Sequence, residues 1–489
     1  MRELRINDVR SSREKTIEGI VLGETMRSVL LYNEAFTHAV GRLKEIKDLR
    51  SPKYTMISNR TVDLLDRGSI DLDGRLETMT LKLTDFQFYG LFQGVLNSST
   101  ADESKQLNFD RWKSSYQSMR RWFITYQKGK WGHWPPRVGK KNHLQTDGLN
   151  RIVLKELYAD VSLLYDLLVD RTALTTRTGD LAEELTDTGD IIPRALRKVL
   201  AEYDRSTPPV LPPVPFDVPI LPKVTNQRDL GRKLKKHEAN EVLNKSYNAD
   251  TNITDGPPIL TSFRTFDSDS AHGLTIENIG DQRCGQWLFL YAVLQTLPWL
   301  VVDAPALEHT AGVEYFVCVA PRSGVPWARE DVALNRNWYG VAGSDKIVSL
   351  PADVLIHGVE GTYRRSHCWA RAEQWTAGDA LLKAAAAETI GQALPPPPLA
   401  PGQPGRLNPL SASRSNSPEP VGRRSKRASV VDLGLEALPM PAGVQPEMQD
   451  GQPGRQRPVS GITGDPSITF DAILGSAGLQ GPASSKKKR

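Results

Sequence analysis

Apolar residues between Ile17 and Leu49 recur mostly at intervals of three, four and seven: Ile17, Ile20, Val21, Val29, Phe36, Val40, Leu43 and Ile46. This is the period of an amphipathic helix, whose apolar face needs a partner. A second helix, rich in Leu and Phe, is predicted from Leu76 to Leu96, and a third from Phe109 to Lys128. In the third, the stripe Trp112, Tyr116, Met119, Phe123, Tyr126 steps by four, three, four and three. Gly129 and the Pro135-Pro136 pair end it. Asp147 is then placed to cap a helix whose face carries Leu149, Val153, Leu157, Val161, Leu164 and Leu168. Short connections and one-sided apolar faces predict antiparallel helices packed on one another.

The stretch TPPVLPPVPFDVPILP, Thr207 to Pro222, cannot continue a helix and is predicted to run extended, partly as polyproline II. A charged helical segment follows near Arg228 to Leu243. A second unit begins around Pro257 and holds the run CGQWLFLYAVLQTLP, predicted as a buried helix. Val313 to Val319 and Lys346 to Leu350 are β-branched or aromatic and read as short strands, and a helix around Ser366 to Trp375 closes the unit. The longest apolar run, Trp287 to Val302, contains Gln295, Thr296 and Pro298 and falls short of the ~20 residues that span a bilayer. The expected fold is mainly α: a helical domain, a smaller α+β unit and a long disordered C-terminal tail. Its divisions are an N-terminal helical segment at 1–75, a helical domain at 76–206, a proline-rich linker at 207–225, the second unit at 226–393 and the tail at 394–489.

Composition separates the tail from the rest. From Leu394 onward Phe470 is the one aromatic residue, and Pro, Gly, Ser and Gln dominate, so too little apolar surface is available to offset the entropy of ordering. Twelve of the 62 Lys and Arg and seven of the 57 Asp and Glu lie in the tail, leaving 50 of each before it. The preceding region is therefore electrically balanced, which argues against a globally basic nucleic-acid-binding domain. Three widely spaced cysteines, Cys284, Cys318 and Cys368, read as free thiols in a reducing compartment. The N-terminal MRELRINDVRSSREK lacks an apolar signal stretch, so the expected location is intracellular, cytoplasmic or nuclear, and not secreted.

Several long strings stand out: GHWPPRVGKKN, GLNRIVLKELYADVSLLYDLLVDR, AEYDRSTPPVLPPVPFDVPILP, RCGQWLFLYAVLQTLPWLVVDAP, GVEYFVC and WYGVAGSDKIVSLPADVLIHGVEGTYRRSHCW. From about Leu81 to Trp375 the chain resembles an uncharacterised family of filamentous ascomycete fungi, a domain of unknown function. The resemblance implies no activity, cofactor or catalytic residue.

Chemistry is sparse. Between Arg111 and Thr146 nine Lys or Arg and seven Trp, Tyr or Phe occur without one Asp or Glu. Arg111, Lys113, Arg120, Arg121, Lys128, Lys130, Lys140 and Lys141 thus form a candidate surface for nucleic acid or anionic lipid, although the aromatic stripe also suits a helix core. Cys284, read as lying just before a helix, and His367 are the residues of a thiol-enzyme reading centred on 283–375, with His309 and His357 as further bases. Cys284 also suits a buried small side chain. Walker, HExxH, CxxC and GxSxG patterns are missing, and Asp267 and Asp269 read as turn residues. No metal site and no cofactor are expected. In the tail, RRSKRAS sets Ser429 after basic residues and Ser417 precedes a proline; both are candidate phosphorylation sites, and RRSKR and the terminal KKKR are candidate nuclear signals. The reading that follows is a non-enzymatic interaction or scaffold protein with a phosphoregulated tail. Its partners would be proteins recruited through the P-x-x-P spacings of the proline-rich stretch or through the tail.

Overall fold

A computed structural model of the 489-residue chain describes residues 7–92, 107–140, 142–174, 191–206, 209–223, 231–253, 255–321, 325–327, 336–341, 347–351, 356–377 and 435–436. The fold is mainly helical. The predicted tail, with Ser417, Ser429 and the basic motifs, lies outside the described residues except for Leu435–Glu436, as does Lys141.

The periodic stretch from Ile17 to Leu49 is three helices rather than one: α1 (Arg13–Thr25), α2 (Val29–Gly41) and α3 (Leu43–Asp48). The chain turns between α1 and α2 where Arg27 takes a positive φ of 51°. Gly23 lets the two helices meet, since a Cβ there would lie 2.9 Å from the Tyr32 backbone. Each helix buries one face in the same core, so the apolar period runs through the turns. The next helix, α4 (Asn59–Thr84), starts well before Leu76 because Ser58 caps it by accepting from the Thr61 amide. Its buried positions, Thr61, Leu65, Leu72, Arg75, Met79 and Leu83, are too sparse and too polar to read as a stripe. It ends at Thr84, ahead of Phe86 at φ 49°.

Next come α5 (Phe109–Trp131) and α6 (Arg151–Leu168). The cap of α6 is Asn150, which accepts from the Val153 amide at 3.1 Å; Asp147 instead accepts from the Val138 amide and shapes the preceding loop. Beyond them lie α7 (Ile191–Arg205), α8 (Lys236–Lys245), α9 (Pro258–Ala271), α10 (Ile276–Thr296), α11 (Pro298–Val301), α12 (Val359–Arg364) and α13 (His367–Thr376). Neither α7 nor α9 was among the predicted helices. Among the described residues the expected strand at Val313–Val319 pairs with no other; it is an irregular segment that buries Val313, Phe316, Val317 and Val319. The other expected strand is present as β2 (Ile347–Pro351), antiparallel to β1 (Arg336–Val341), which also pairs with β3 (Leu435–Glu436).

The predicted buried helix is α10, and every residue from Gln282 to Thr296 is buried. Its apolar side packs on α5 and on the segment after α4, and Phe289 meets the rings of Phe86, Phe88, Tyr116 and Phe123 at centroid distances of 5.5 to 6.4 Å. Ile276–Val301 is long and apolar enough to cross a membrane; its apolar 18-residue window has a mean hydropathy of 1.2, but here that window is entirely buried by the fold.

Its other side is polar at every fourth residue: Arg283, Trp287, Tyr291 and Gln295 share a face. Arg283 pairs with Asp267 at 2.8 Å. The Trp287 indole donates to the Asp217 carbonyl at 2.8 Å, and Tyr291 and Gln295 donate to Asp204 at 2.7 and 2.9 Å. Asp267 therefore sits inside α9 as a buried carboxylate, not in a turn.

The same polar side changes the meaning of the proline-rich stretch. It is a strap packed into the core: Val214, Phe216, Asp217 and Val218 are buried, the Pro212 carbonyl accepts from Gln295, and Asp170 and Ile220 amides link it to the end of α6. The Val169–Pro219 and Leu174–Phe216 bridges satisfy backbone groups that the prolines leave without a helix. One apolar cluster runs from Val9 to Ala372, through the helices on both sides of this strap.

Gly285 sets the closeness of α5 and α10, because a Cβ there would lie 2.3 Å from the Trp112 carbonyl and 2.7 Å from Ser115 Cβ. Gly285→Ala is expected to cost about 2 kcal/mol or more by forcing the helices apart. In contrast, Gly280→Ala meets nothing within 4 Å and is expected to gain roughly 0.5–1 kcal/mol of helix propensity. Urea denaturation of the two variants checks both signs.

Candidate functional site

The basic-aromatic stretch resolves into two faces of α5. The aromatic face is internal. Trp112, Tyr116, Phe123 and Trp131 are buried, and the half-buried Trp122 stacks on Phe266 at 5.2 Å and on Tyr126 at 6.0 Å. These rings are engaged with one another, so the stacking half of the predicted nucleic-acid pattern is a core stripe.

The cations divide. Arg120 donates to the Asp85 carbonyl at 2.6 Å. Lys130 reaches Glu156 at 3.0 Å and Asp160 at 3.1 Å; burial opposes its charge, but these two carboxylates outweigh that and raise its pKa above the ordinary value. Arg111 is half-buried near Asp281, whose carboxyl burial pushes up even though the Trp112 indole donates to it.

Lys113, Arg121 and Lys128 are exposed and meet no carboxylate among the described residues; Arg121 leans on the Ser118 hydroxyl at 3.2 Å. At 100° per residue they lie within an arc of about 80° on the outer side of α5. The helix holds one carboxylate, Asp110, in its first turn. Beyond its end an ordered loop continues the charge with exposed Arg137 and Lys140. Asn142 ties that loop to the Trp131 and Arg137 carbonyls.

The thiol reading loses its chemistry. Cys284 lies well inside α10 rather than ahead of it and has no exposed surface; burial pushes its thiol well above the usual range, opposite to helix-end activation. Cys318 is pushed up to about 11 and Cys368 well above 9.0 by the same cause. His367 Nε2 is held 2.9 Å from Asp166, which also takes Arg371 at 3.2 Å, so this imidazole belongs to an ion cluster at the start of α13 and not to a thiol. The His309 amide donates to Glu34.

A buried polar row along α2 and its C-cap was not among the candidates read from the sequence. Glu34, His38 and Arg42 follow at intervals of four and all point inward. His38 Nε2 meets Glu34 at 3.2 Å and its Nδ1 meets the Tyr315 hydroxyl at 2.7 Å. Arg42 donates to the Val9, Arg10 and Ser12 carbonyls and lies over the Tyr315 ring. These contacts hold residues 308–315 and the N-terminal segment against α2. Their only advance signal is the four-residue spacing of three charged or titratable residues inside an apolar run.

Among known families, a domain of unknown function, DUF8004, matches residues 1–88, which take in α1 to α4 and the α2 row. That match lies N-terminal to all of the strings quoted for the resemblance, the first of which begins at Gly132. No curated protein and no solved structure matches the chain.

Glu34 makes the fold sensitive to acid. Burial pushes its carboxyl up, but hydrogen bonds from His38 and from the Glu308 and His309 amides outweigh it and leave the group below its ordinary 4.5. A lowered carboxylate stabilises the fold above its unfolded pKa, and that contribution is lost as pH falls through the folded one. Glu34→Gln is expected to cost about 1–3 kcal/mol at pH 7, with the gap to the native chain narrowing progressively below pH 4.5. Urea titrations across that range measure it.

Proposed function

We propose that this protein is a non-enzymatic interaction protein that binds a polyanionic partner through the outer face of α5. The observation that carries this reading is the group Lys113, Arg121 and Lys128, exposed and in ion pairs with no carboxylate among the described residues, on a helix whose other face is locked against α10. Three exposed lysines elsewhere are paired: Lys44 with Asp73, Lys236 with Asp269 and Lys245 with Glu241. Cations that meet no internal carboxylate are free to meet a partner's, and a rigid helix presents them without further ordering cost.

The expected setting is intracellular, which suits three thiols without disulfides. The tail adds regulation to this reading: phosphate on Ser417 or Ser429 would bring about −1.5 to −2 charges each, in competition with the partner for cationic surface.

The test is retention of the full-length chain on heparin. Changing Lys113, Arg121 and Lys128 together to Glu should lower the eluting salt concentration markedly. The same exchange at Lys44, Lys236 and Lys245, which alters net charge equally, should change it little. Equal shifts in the two triple variants would remove the reading.

A further inference from the structure

Exposed apolar side chains gather where α1 turns into α2. Leu22, Met26, Val29 and Leu30, between 41% and 55% exposed, all lie within this one turn and the helix ends that flank it. Met56, 65% exposed, lies two residues before Ser58, whose amide and hydroxyl donate to Glu24 near the end of α1. Together these five residues expose on the order of 500 Å², the size at which an apolar patch on a protein surface marks a contact.

The polar groups of the turn are satisfied from within. The Met26, Arg27 and Ser28 amides donate to the Leu22, Glu24 and Gly23 carbonyls, and the Thr25 hydroxyl donates to the Val21 carbonyl at 2.7 Å. These groups therefore carry no unpaired donor into an apolar phase. The carboxylates along α1 are engaged as well, Glu14 and Glu18 with Lys53 and Glu24 with Ser58 and Thr61. Two cations remain beside the apolar group. Arg27 is exposed, has no ion pair among the described residues, and at φ 51° holds a left-handed position that glycine fills without strain. Arg60, exposed at the start of α4, donates to the Pro326 carbonyl at 3.1 Å. The neighbouring half-buried Trp327 meets the Tyr32 ring edge-on at 5.3 Å, beside the first turn of α2.

A closed apolar turn flanked by guanidinium groups and an indole matches the boundary of an anionic bilayer. Aliphatic side chains enter below the headgroups, the indole sits at their level and the cations meet phosphates. A second copy of the chain fits less well. The patch falls short of the roughly 800 Å² that each partner of a stable complex buries, and a two-fold contact through the turn would set Arg27 against Arg27.

We propose that the α1–α2 turn inserts into the surface of an anionic phospholipid bilayer, with Met26 and Leu30 as the inserted side chains and Arg27 and Arg60 on headgroup phosphates. The site is separate from α5 and does not rest on the polyanion reading.

Flotation of the full-length protein with vesicles of phosphatidylcholine and phosphatidylserine, in a ratio of about 3:1, provides the test. Each buried CH₂ contributes about fourfold to partition, so changing Met26 and Leu30 together to Ser should lower it at least about tenfold. The same exchange at Ile70 and Leu81, which are 72% and 75% exposed on α4, should leave it unchanged. Arg27→Gly should weaken binding about fivefold, while its unfolding temperature stays level or rises because the left-handed strain is relieved. That combination separates a lipid contact from damage to the fold. Heparin retention should not respond to the Met26 and Leu30 exchange. Failure of the native chain to float, or equal losses in the two serine variants, overturns the proposal. Flotation that depends on Lys113, Arg121 and Lys128 but not on the turn overturns it too and moves the lipid contact to α5. Self-association in sedimentation that the Met26 and Leu30 exchange abolishes, without flotation of the native chain, gives the turn to a second copy instead.

Discussion

A helix buried along most of its length must find partners inside the protein for its charged and polar side chains, and α10 is such a helix. Its Arg283 is paired with Asp267, both 1% exposed, and Asp267 also accepts from Tyr247, Gln282 and Gln286. Removing one member of a buried pair of this kind leaves an uncompensated charge and costs about 3–5 kcal/mol. The pair therefore fixes where α9 and the Tyr247 segment sit, because only that placement brings the carboxylate to the guanidinium. Over the next three turns, Trp287, Tyr291 and Gln295 do the same for the proline strap and α7.

This demand also sorts the polar side chains between structure and surface. Asp204, Asp217 and Asp267, Arg283 and the Glu34–His38–Arg42 row are taken into the interior with partners. The side chains that chemistry-minded reading singles out in the second half of the chain, Cys284 and His367, are a buried thiol and a carboxylate-bound imidazole. What remains for a partner lies outside this internal network. The two faces of α5 are coupled in that sense: Gly285 and Ser115 bring the inner face close to α10, with the Ser115 hydroxyl donating to the Gln282 carbonyl at 2.6 Å, and this holds the outer cations on a rigid support.

The strap shows how a composition that excludes helix still becomes core. Proline removes amide donors, so the stretch makes few backbone bonds of its own, yet it presents carbonyls at Pro212 and Asp217 that α10 needs as acceptors. A segment read as a spacer is thereby a ligand for the polar side of the central helix.

The sequence by itself determined the helical class, the buried nature of the CGQWLFLYAVLQTLP run and the aromatic stripe of α5, because each follows from local periodicity and the cost of exposing apolar surface. It also determined that the 111–146 stretch is rich in cations, since nine cations without a carboxylate is a property of composition alone. Tertiary structure alone decided which of those cations are spent internally, as Arg120 and Lys130 are, and which face outward. It alone placed Asp267 in a helix, turned one predicted N-terminal helix into three and drew the strap into the core. Those outcomes depend on which carboxylate meets which guanidinium or indole across many residues of separation, and pairing at that distance leaves no periodic trace in the chain.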